Sequence, residues 1–171
     1  MARNIEFKAS ITDYDDMVCK VQRLTKKSPE FIEQKDVFYI TSNGRLKLRS
    51  SSESSPELIY YLRKDTQLPK LSRYYRFSVK HYSLIYNLFN HILGVKGVVQ
   101  KKRCVFLKDN VRFHIDKVNH LGDFMEIEYI MKKTESRERA LDTVTKMMEA
   151  LGIKKEMLIN CSYGDLILNK G

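Results

Sequence analysis

The sequence is poor in cysteine and contains no tryptophan among its 171 residues. Its three cysteines, Cys19, Cys104 and Cys161, lie far apart along the chain. An odd number of cysteines at such spacings fits neither a disulfide framework nor a zinc site. We therefore expect a protein of a reducing compartment and predict a cytoplasmic location.

Long apolar runs are also missing. No stretch approaches the roughly 18 consecutive apolar residues that a membrane-spanning helix requires. The first residues, MARNIEFK, carry charge too early for a signal peptide. The sequence therefore predicts no membrane association and no secretion.

What the chain has in excess is positive charge. It carries 31 Lys and Arg against 21 Asp and Glu, for a net charge of +10. Such an excess favours an anionic partner, which could be nucleic acid, a phosphorylated metabolite or a membrane surface. Hydrophobic residues make up 43% of the chain, and its length suits one globular domain, which we place at residues 1–171.

Apolar–polar alternation predicts eight strands, and helical spacing predicts three or more helices. Short turns join most neighbouring strands, so the sheet should be antiparallel. We predict an α+β fold in which an antiparallel eight-stranded β-barrel, a tunnel fold, has its helices packed on the outside. The predicted strands are at about 3–11, 33–40, 45–50, 97–107, 111–119 and 123–131, with two more in ELIYYLRK and LSRYYRFSV. The predicted helices are at 13–26, 83–93 and 136–150, with a short one near YGDLIL.

One face of these strands carries the charge. After the turn at Asn43-Gly44, Arg45, Lys47 and Arg49 alternate with leucines, and alternate residues of a strand point to opposite faces. The same parity collects charged residues on most of the other strands. The cations are Lys8, Arg45, Lys47, Arg49, Arg63, Arg76, Lys101, Arg103 and Arg112, and the acids are Glu6, Asp116, Glu126 and Glu128.

Two interpretations of this charged face compete. A sheet with one solvated face would show the same alternation. The helices, however, need an apolar sheet face to pack on; if they cover the outside of a barrel, the charges line a polar tunnel. Crowded cations would repel one another there, and a bound polyphosphate would relieve that repulsion. Carboxylates beside the phosphates would hold Mg²⁺ or Mn²⁺.

Blocks along the chain resemble a known family. NIEFKA, near the start, is similar to the E-x-E-x-K signature of the CYTH superfamily, the triphosphate tunnel metalloenzymes. QKDVFYITSNGRLKLR, LIYYLRKD, PKLSRY, VVQKKR, RFHIDKV and LGDFMEIE follow in the family's order. The resemblance is nearest to the class IV adenylyl cyclase-like and thiamine triphosphatase-like branch. It implies a tunnel barrel that hydrolyses or cyclises triphosphates with a divalent metal.

The resemblance also implies roles for single residues. It makes Glu6, Lys8 and Glu128 catalytic. It assigns metal binding to Glu6, Asp116, Glu126 and Glu128. It assigns phosphate binding to Lys8, Arg45, Lys47, Arg63, Lys101, Arg103 and Arg112, and strand parity adds Arg49 and Arg76 to this set.

One position departs from the family signature. Asn4 stands where the signature has its first glutamate. An amide oxygen is a neutral ligand for a hard cation, so we expect one weakened metal position rather than loss of activity.

Three functions remain open from the sequence. Attack by water on the terminal phosphorus would make the protein a triphosphatase, which we favour, whereas attack by a ribose 3′-hydroxyl would make it an adenylyl cyclase. The third is a non-catalytic module that binds polyphosphate, nucleotide or an RNA 5′ end. The expected partner is tripolyphosphate, ATP or thiamine triphosphate, with a base or ribose touching Tyr74 or His114. We expect a monomer or homodimer.

Overall fold

Eight strands close into one antiparallel barrel in the computed structural model, which describes residues 2–63, 65–66 and 68–168. Around the barrel the order is β1-β5-β4-β3-β2-β6-β7-β8, and every neighbouring pair is antiparallel. This confirms the predicted fold. The strands are β1 (Ala2–Ile11), β2 (Glu30–Tyr39), β3 (Arg45–Ser51), β4 (Glu57–Arg63), β5 (Lys70–Ser78), β6 (Val95–Lys108), β7 (Val111–Val118) and β8 (Gly122–Ile130).

The helices begin and end at local signals of the sequence. The Asp13 side chain caps the first helix by accepting a hydrogen bond from the Asp16 backbone N–H, as expected of an N-cap aspartate. Gly94, with φ of 77°, follows the second helix in a conformation that glycine adopts without strain. The helices are α1 (Tyr14–Thr25), α2 (Tyr82–Leu93), α3 (Arg137–Ala150) and α4 (Tyr163–Leu168).

The described ranges limit two predictions made for the whole chain. The predicted domain, residues 1–171, includes residues 1, 64, 67 and 169–171, which lie outside these ranges, and its extent stays a prediction. Within the described part, no helix is both long enough and apolar enough to cross a membrane.

Helices α1 and α3 cover the outer faces of β1, β6, β7 and β8. Phe7, Phe113 and Ile127 are almost completely buried there, packed with Val21 of α1 and Val144 of α3. Burying such a side chain stabilises the fold by roughly 1.5–3 kcal/mol. Because the helices occupy the apolar outer face, the alternate residues of these strands point into the barrel.

Helix α2 covers the outer faces of β2 and β3. Tyr39 and Leu48 are buried beneath it, and the Phe89 ring meets the Tyr39 ring edge to face at 5.5 Å between centroids. With Tyr39 outside, the alternate residues of β2, including Asp36 and Phe38, face inward. The same reasoning places the cations of β3 inside.

The short helix α4 packs across one end of the barrel. Its Tyr163 joins Phe38, Val99 and Phe124 in a buried apolar cluster inside that end. The fit is close: a Cβ atom on Gly164 would lie 2.8 Å from the Phe38 ring. Helix α4 therefore closes this end, and the polar part of the interior opens toward the opposite end.

Candidate functional site

The barrel interior holds a cavity of about 350 Å³ lined by side chains from all eight strands. The predicted metal ligands Glu6, Glu126 and Glu128 line it, as do Tyr74 and His114. All of the predicted phosphate-binding cations except Arg45 also line it, namely Lys8, Lys47, Arg49, Arg63, Arg76, Lys101, Arg103 and Arg112.

Strand register brings opposite charges face to face across the cavity wall. Lys8 of β1 lies opposite Glu126 of β8, and the Lys8 Nζ–Glu126 Oε1 distance is 3.1 Å. Lys8 Nζ also lies 3.5 Å from the centroid of the Tyr163 ring, which is a cation–π contact. Lys8 is thus held between a carboxylate and an aromatic face.

Arg103 and Asp116 form the most enclosed ion pair. Arg103 Nε and Nη2 donate to the two Asp116 oxygens at 2.6 and 2.7 Å, and Nη2 also donates to Glu126 at 3.0 Å. Burial raises the pKa of Asp116, but Arg103 and Lys101 outweigh it and lower that pKa far below its ordinary value. Asp116 therefore stays ionised as the partner of Arg103.

Asp116 differs from the other predicted metal ligands because it does not line the cavity. Besides Arg103, the Tyr163 hydroxyl donates to Asp116 Oδ2 at 2.9 Å. Lys101 Nζ lies 3.6 Å from the same oxygen. Since Asp116 is completely buried and does not line the cavity, the structure gives it the position of a counter-ion behind the cavity wall.

Asp36 is an interior residue that the sequence interpretation did not identify. It is 1% exposed, and it accepts hydrogen bonds from Arg49 Nε at 2.7 Å and from Lys47 Nζ at 3.0 Å. Burial raises its pKa, but Arg49 and Lys47 lower it well below the ordinary value. The signal was available, because Val37 and Tyr39 are apolar and belong outside, which places Asp36 inside.

Arg45 shares its parity with Lys47 and Arg49 but lies at the end closed by α4. Its Nη2 atom donates to Asp65 at 2.6 Å and to Asp165 at 3.0 Å. Lys96 donates to the other Asp165 oxygen at 2.6 Å. Arg45 thus ties β3 to α4, on the far side of the apolar cluster from the cavity.

Glu6 and Arg63 form a pair within the cavity. Arg63 Nη1 donates to Glu6 Oε1 at 2.7 Å. The pKa of Glu6 is nevertheless raised, first by burial, against the lowering effect of Arg63, with Glu126 and Glu128 raising it further. The negative charges of Glu126 and Glu128 therefore act on Glu6, which lies directly opposite Glu128 on the neighbouring strand.

A group of potential metal ligands lies beside this pair. Oxygen atoms of Glu126 and Glu128 and a ring nitrogen of His114 lie within 4.8 Å of one another. Register explains the grouping, because His114 of β7 lies directly opposite Glu126 of β8. The sequence interpretation predicted both glutamates as metal ligands but gave His114 only a place in the tunnel and a contact with a base or ribose.

Unpaired polar atoms concentrate in the cavity wall. Asn4 Oδ1, Gln34 Oε1 and His114 Nδ1 are buried and have no hydrogen-bond partner within the described residues. The same holds for Arg63 Nε and Nη2. Buried polar groups are nearly always satisfied, so acceptors and donors left over in one cavity indicate a polar ligand.

The open end of the cavity has a different character. Ile32, Val105 and Leu107 line it, and Leu107 is 48% exposed. At the rim, Arg76 Nη2 donates to Glu57 at 2.6 Å. The cavity thus runs from a highly charged inner part to a partly apolar rim.

Tyr163 is the second interior residue that the sequence did not reveal. It is 4% exposed and comes from α4, beyond the last strand. The capping box of α4, in which the Ser162 and Asp165 side chains accept from each other's backbone N–H groups, is a local signal for the helix start. That signal places the helix but not the barrel end that it closes.

Known proteins resemble this chain in sequence. The CYTH domain family model matches residues 2–163. Of curated proteins, "Putative adenylate cyclase MJ0240" of Methanocaldococcus jannaschii is 32% identical over 76 residues. That aligned stretch spans 43% of this chain and 43% of the relative.

Solved structures share the fold over nearly the whole chain. The PH1012 protein of Pyrococcus horikoshii OT3 superposes with a TM-score of 0.84 at 24% identity, covering 95% of this chain and 98% of that one. HpAC1 from Hippeastrum, described as a putative adenylyl cyclase with a dominant triphosphatase activity, gives a TM-score of 0.64 at 13% identity, over 99% and 96% of the two chains. With the family model spanning nearly the whole described barrel, this chain belongs to the CYTH domain family.

Proposed function

We propose that this protein is a divalent-metal-dependent enzyme that hydrolyses a phosphoanhydride bond of a triphosphate held inside the barrel. The observation that carries the proposal is the set of unpaired buried atoms in the cavity wall. Arg63 offers free N–H donors, Asn4 offers a free acceptor oxygen, and His114 Nδ1 is a further unpaired atom. A phosphate chain with its cation is complementary to both kinds of atom at once.

The cations supply the phosphate-binding part of the site. Arg49, Arg63 and Arg103 present forked N–H donors, which match phosphate oxygens in pairs. Lys8, Lys47 and Lys101 add point charges deeper in the cavity, and Arg76 and Arg112 lie nearer the rim. Arg45 is left out of this set, because Asp65 and Asp165 engage it at the other end of the barrel.

The carboxylates supply the metal-binding part. Glu126 and Glu128, with Glu6 beside them, offer the oxygen ligands that Mg²⁺ and Mn²⁺ prefer. Asn4 Oδ1 lies on the same wall with no partner among the described residues, which fits a neutral ligand. A cation bound here would neutralise phosphate charge and orient the attacking water.

The proposed reaction transfers the terminal phosphoryl group to water. The water oxygen bonds to the terminal phosphorus, the bond from that phosphorus to its bridging oxygen breaks, and the water proton passes to a carboxylate. Glu6 suits that last role because its pKa is raised, chiefly by burial. Lys8 and Arg103 stabilise the charge that develops on the phosphoryl oxygens and the leaving diphosphate.

Adenylyl cyclase activity is the second candidate, favoured by the rim. Ile32, Val105 and Leu107 give β2 and β6 an apolar wall, and Tyr74 of β5 lines the same cavity from the other side of the barrel. Such a lining suits a nucleobase rather than a bare inorganic chain. In that reaction the ribose 3′-hydroxyl attacks the α-phosphorus, and diphosphate leaves. The Methanocaldococcus relative is named a putative adenylate cyclase, whereas HpAC1 from Hippeastrum is described with a dominant triphosphatase activity, so the two names favour different reactions.

A substrate panel with product identification tests the proposal. Tripolyphosphate, ATP, GTP, thiamine triphosphate and 5′-triphosphorylated RNA are each incubated with Mg²⁺ or Mn²⁺. Orthophosphate with the diphosphate product supports hydrolysis, whereas cyclic AMP with diphosphate supports the cyclase. Binding without turnover of any compound would overturn both and leave a non-catalytic binding module.

Variants of matched chemistry make the panel specific to the site. Glu128→Gln should abolish turnover while the protein stays folded, because the change removes one ligand charge. Glu149→Gln, at an exposed position of α3, is the control and should leave the rate unchanged. Equal rates for both variants would show that Glu128 takes no part in the reaction.

A further inference from the structure

The imidazole of His114 faces two carboxylates inside the cavity. Its Nδ1 atom lies 3.5 Å from Glu126 Oε2 and 3.9 Å from Glu128 Oε1. The side chain is only 7% exposed, and Nδ1 has no hydrogen-bond partner in the described part of the chain. A buried ring nitrogen aimed at two acids without bonding either one requires an explanation.

A hydrogen bond to either glutamate does not provide it. A ring nitrogen that donated to a carboxylate would be expected at about 2.7–3.2 Å, shorter than either distance here. The Nδ1 atom therefore makes no hydrogen bond to either carboxylate.

The spacing of the three side chains fits a shared cation instead. Their candidate ligand atoms lie within 4.8 Å of one another. Ligands on opposite sides of one octahedral ion lie about 4.2 Å apart, since each bond is about 2.1 Å long. A small inward movement of the carboxylates would bring all three atoms into one coordination sphere.

We propose that Nδ1 of His114 is a metal ligand that joins Glu126 and Glu128 in a centre of one imidazole and two carboxylates. The inference rests on the proposed function, because it concerns the cation that this function requires. Imidazole is a ligand of transition metals, whereas Mg²⁺ prefers oxygen. The centre should therefore bind Mn²⁺ or Co²⁺ more tightly than Mg²⁺, with His114 as the source of that preference.

Electron paramagnetic resonance on Mn²⁺ bound to the whole protein tests ligation without reference to turnover. Pulsed measurements detect the hyperfine coupling of a nitrogen bonded directly to Mn²⁺. The expected result is a ¹⁴N coupling in the unaltered protein that changes to a ¹⁵N pattern after labelling with ¹⁵N-histidine. Bound Mn²⁺ without any nitrogen coupling would overturn the proposal, and this arm needs no variant that might fail to fold.

Two histidine variants assign the nitrogen and the preference. His114→Gln should remove the coupling and reduce the ratio of Mn²⁺ to Mg²⁺ affinity by roughly tenfold, mostly through weaker Mn²⁺ binding. His91→Gln, at an exposed position on α2, should retain both. A coupling that survives His114→Gln in a folded protein would assign the nitrogen to another residue and overturn the inference.

The outcomes also separate this inference from the proposed function. Hydrolysis of a triphosphate without nitrogen ligation would leave the function standing and remove the role of His114. Nitrogen ligation that disappears in His114→Gln, in a protein that turns over no triphosphate, would keep the metal centre and overturn the proposed reaction.

Discussion

Asp36 binds Arg49 through two parallel hydrogen bonds inside the barrel, Nε to Oδ1 at 2.7 Å and Nη2 to Oδ2 at 2.8 Å. The register of β2 and β3 places the two residues directly opposite each other. This fork is the geometry in which arginine also binds phosphate. Asp36 thus stabilises an interior cation, and it would compete for that cation with the proposed phosphate ligand.

Asp36→Asn should have opposite effects on the protein alone and on the protein with its ligand. Removing the carboxylate leaves Arg49 and Lys47 buried without their partner, which should destabilise the fold by roughly 3–5 kcal/mol. Tripolyphosphate can then bind both cations freely, so it should raise the melting temperature more than in the unaltered protein. Thermal unfolding with and without tripolyphosphate measures both effects.

The control for this change is Asp142→Asn, which breaks the exposed Asp142–Lys146 pair on α3. It should alter neither the melting temperature nor its rise with tripolyphosphate by much. A smaller ligand-induced rise in Asp36→Asn than in the unaltered protein would contradict the idea of competition.

Arg49 and Arg45 should differ in their effect on anion binding, although they share one face of β3. Arg49→Ala should weaken tripolyphosphate binding by about 1.5–3 kcal/mol, the range for a hydrogen bond to a charged group. Arg45→Ala should leave the affinity nearly unchanged, because Arg45 contacts Asp65 and Asp165 instead. Calorimetric titration measures both affinities, and monophosphate serves as the control ligand. Equal losses for the two variants would place Arg45 at the bound anion.

Lys47 should make anion binding sensitive to alkaline pH. Burial, and then Arg49, lower its pKa to about 8 against the opposing effect of Asp36. Above that pH the cavity loses this charge, so tripolyphosphate affinity should fall by up to about tenfold between pH 7 and pH 9. The tripolyphosphate affinity of the Lys47→Arg variant should fall less over this pH range, because arginine keeps its charge. The ionisation of the ligand itself cancels when the two proteins are compared.

The same pKa predicts the opposite trend for stability. An unfolded lysine keeps its proton up to a pH of about 10.4, so between pH 8 and that value the unfolded state binds more protons than the folded state. The contribution of Lys47 to the free energy of unfolding should therefore rise with pH over this interval. Denaturant titrations at several pH values give the free energy of unfolding. If that free energy changes with pH equally in the unaltered protein and in Lys47→Arg, the shift in the Lys47 pKa is contradicted.

Asn4→Glu tests the cost of the altered family signature. The new carboxylate would lie on the face that carries Glu6, so Mn²⁺ binding without substrate should tighten by roughly tenfold, or about 1.4 kcal/mol. Without metal, the added charge should lower the melting temperature through repulsion. Asn119→Glu, at an exposed position, should do neither. Identical metal titrations for Asn4→Glu and the unaltered protein would mean that residue 4 does not reach the metal.

The amino-acid sequence by itself determined the strands, the helices and the face to which each charge belongs. Strand periodicity is a local property, because consecutive side chains must point to opposite faces. The leucines of β3 therefore placed Lys47 and Arg49 on the other face. Because amphipathic helices need an apolar surface to pack on, the charged face was predicted to lie inside the barrel. The family resemblance rested on the same local blocks.

Only the tertiary structure decided which charges meet. Lys8 and Glu126 form an ion pair although they lie 118 positions apart in the chain. Arg45 lies at the barrel end closed by α4, away from the cavity cations Lys47 and Arg49 of its own strand. Strand register and the docking of α4 set these distances, and both depend on the free energy of the whole barrel rather than on neighbouring residues. The contacts of Asp36, Tyr163 and His114 were decided in this way. Strand parity can assign a residue to the barrel interior, but it cannot identify the side chain that the residue contacts there.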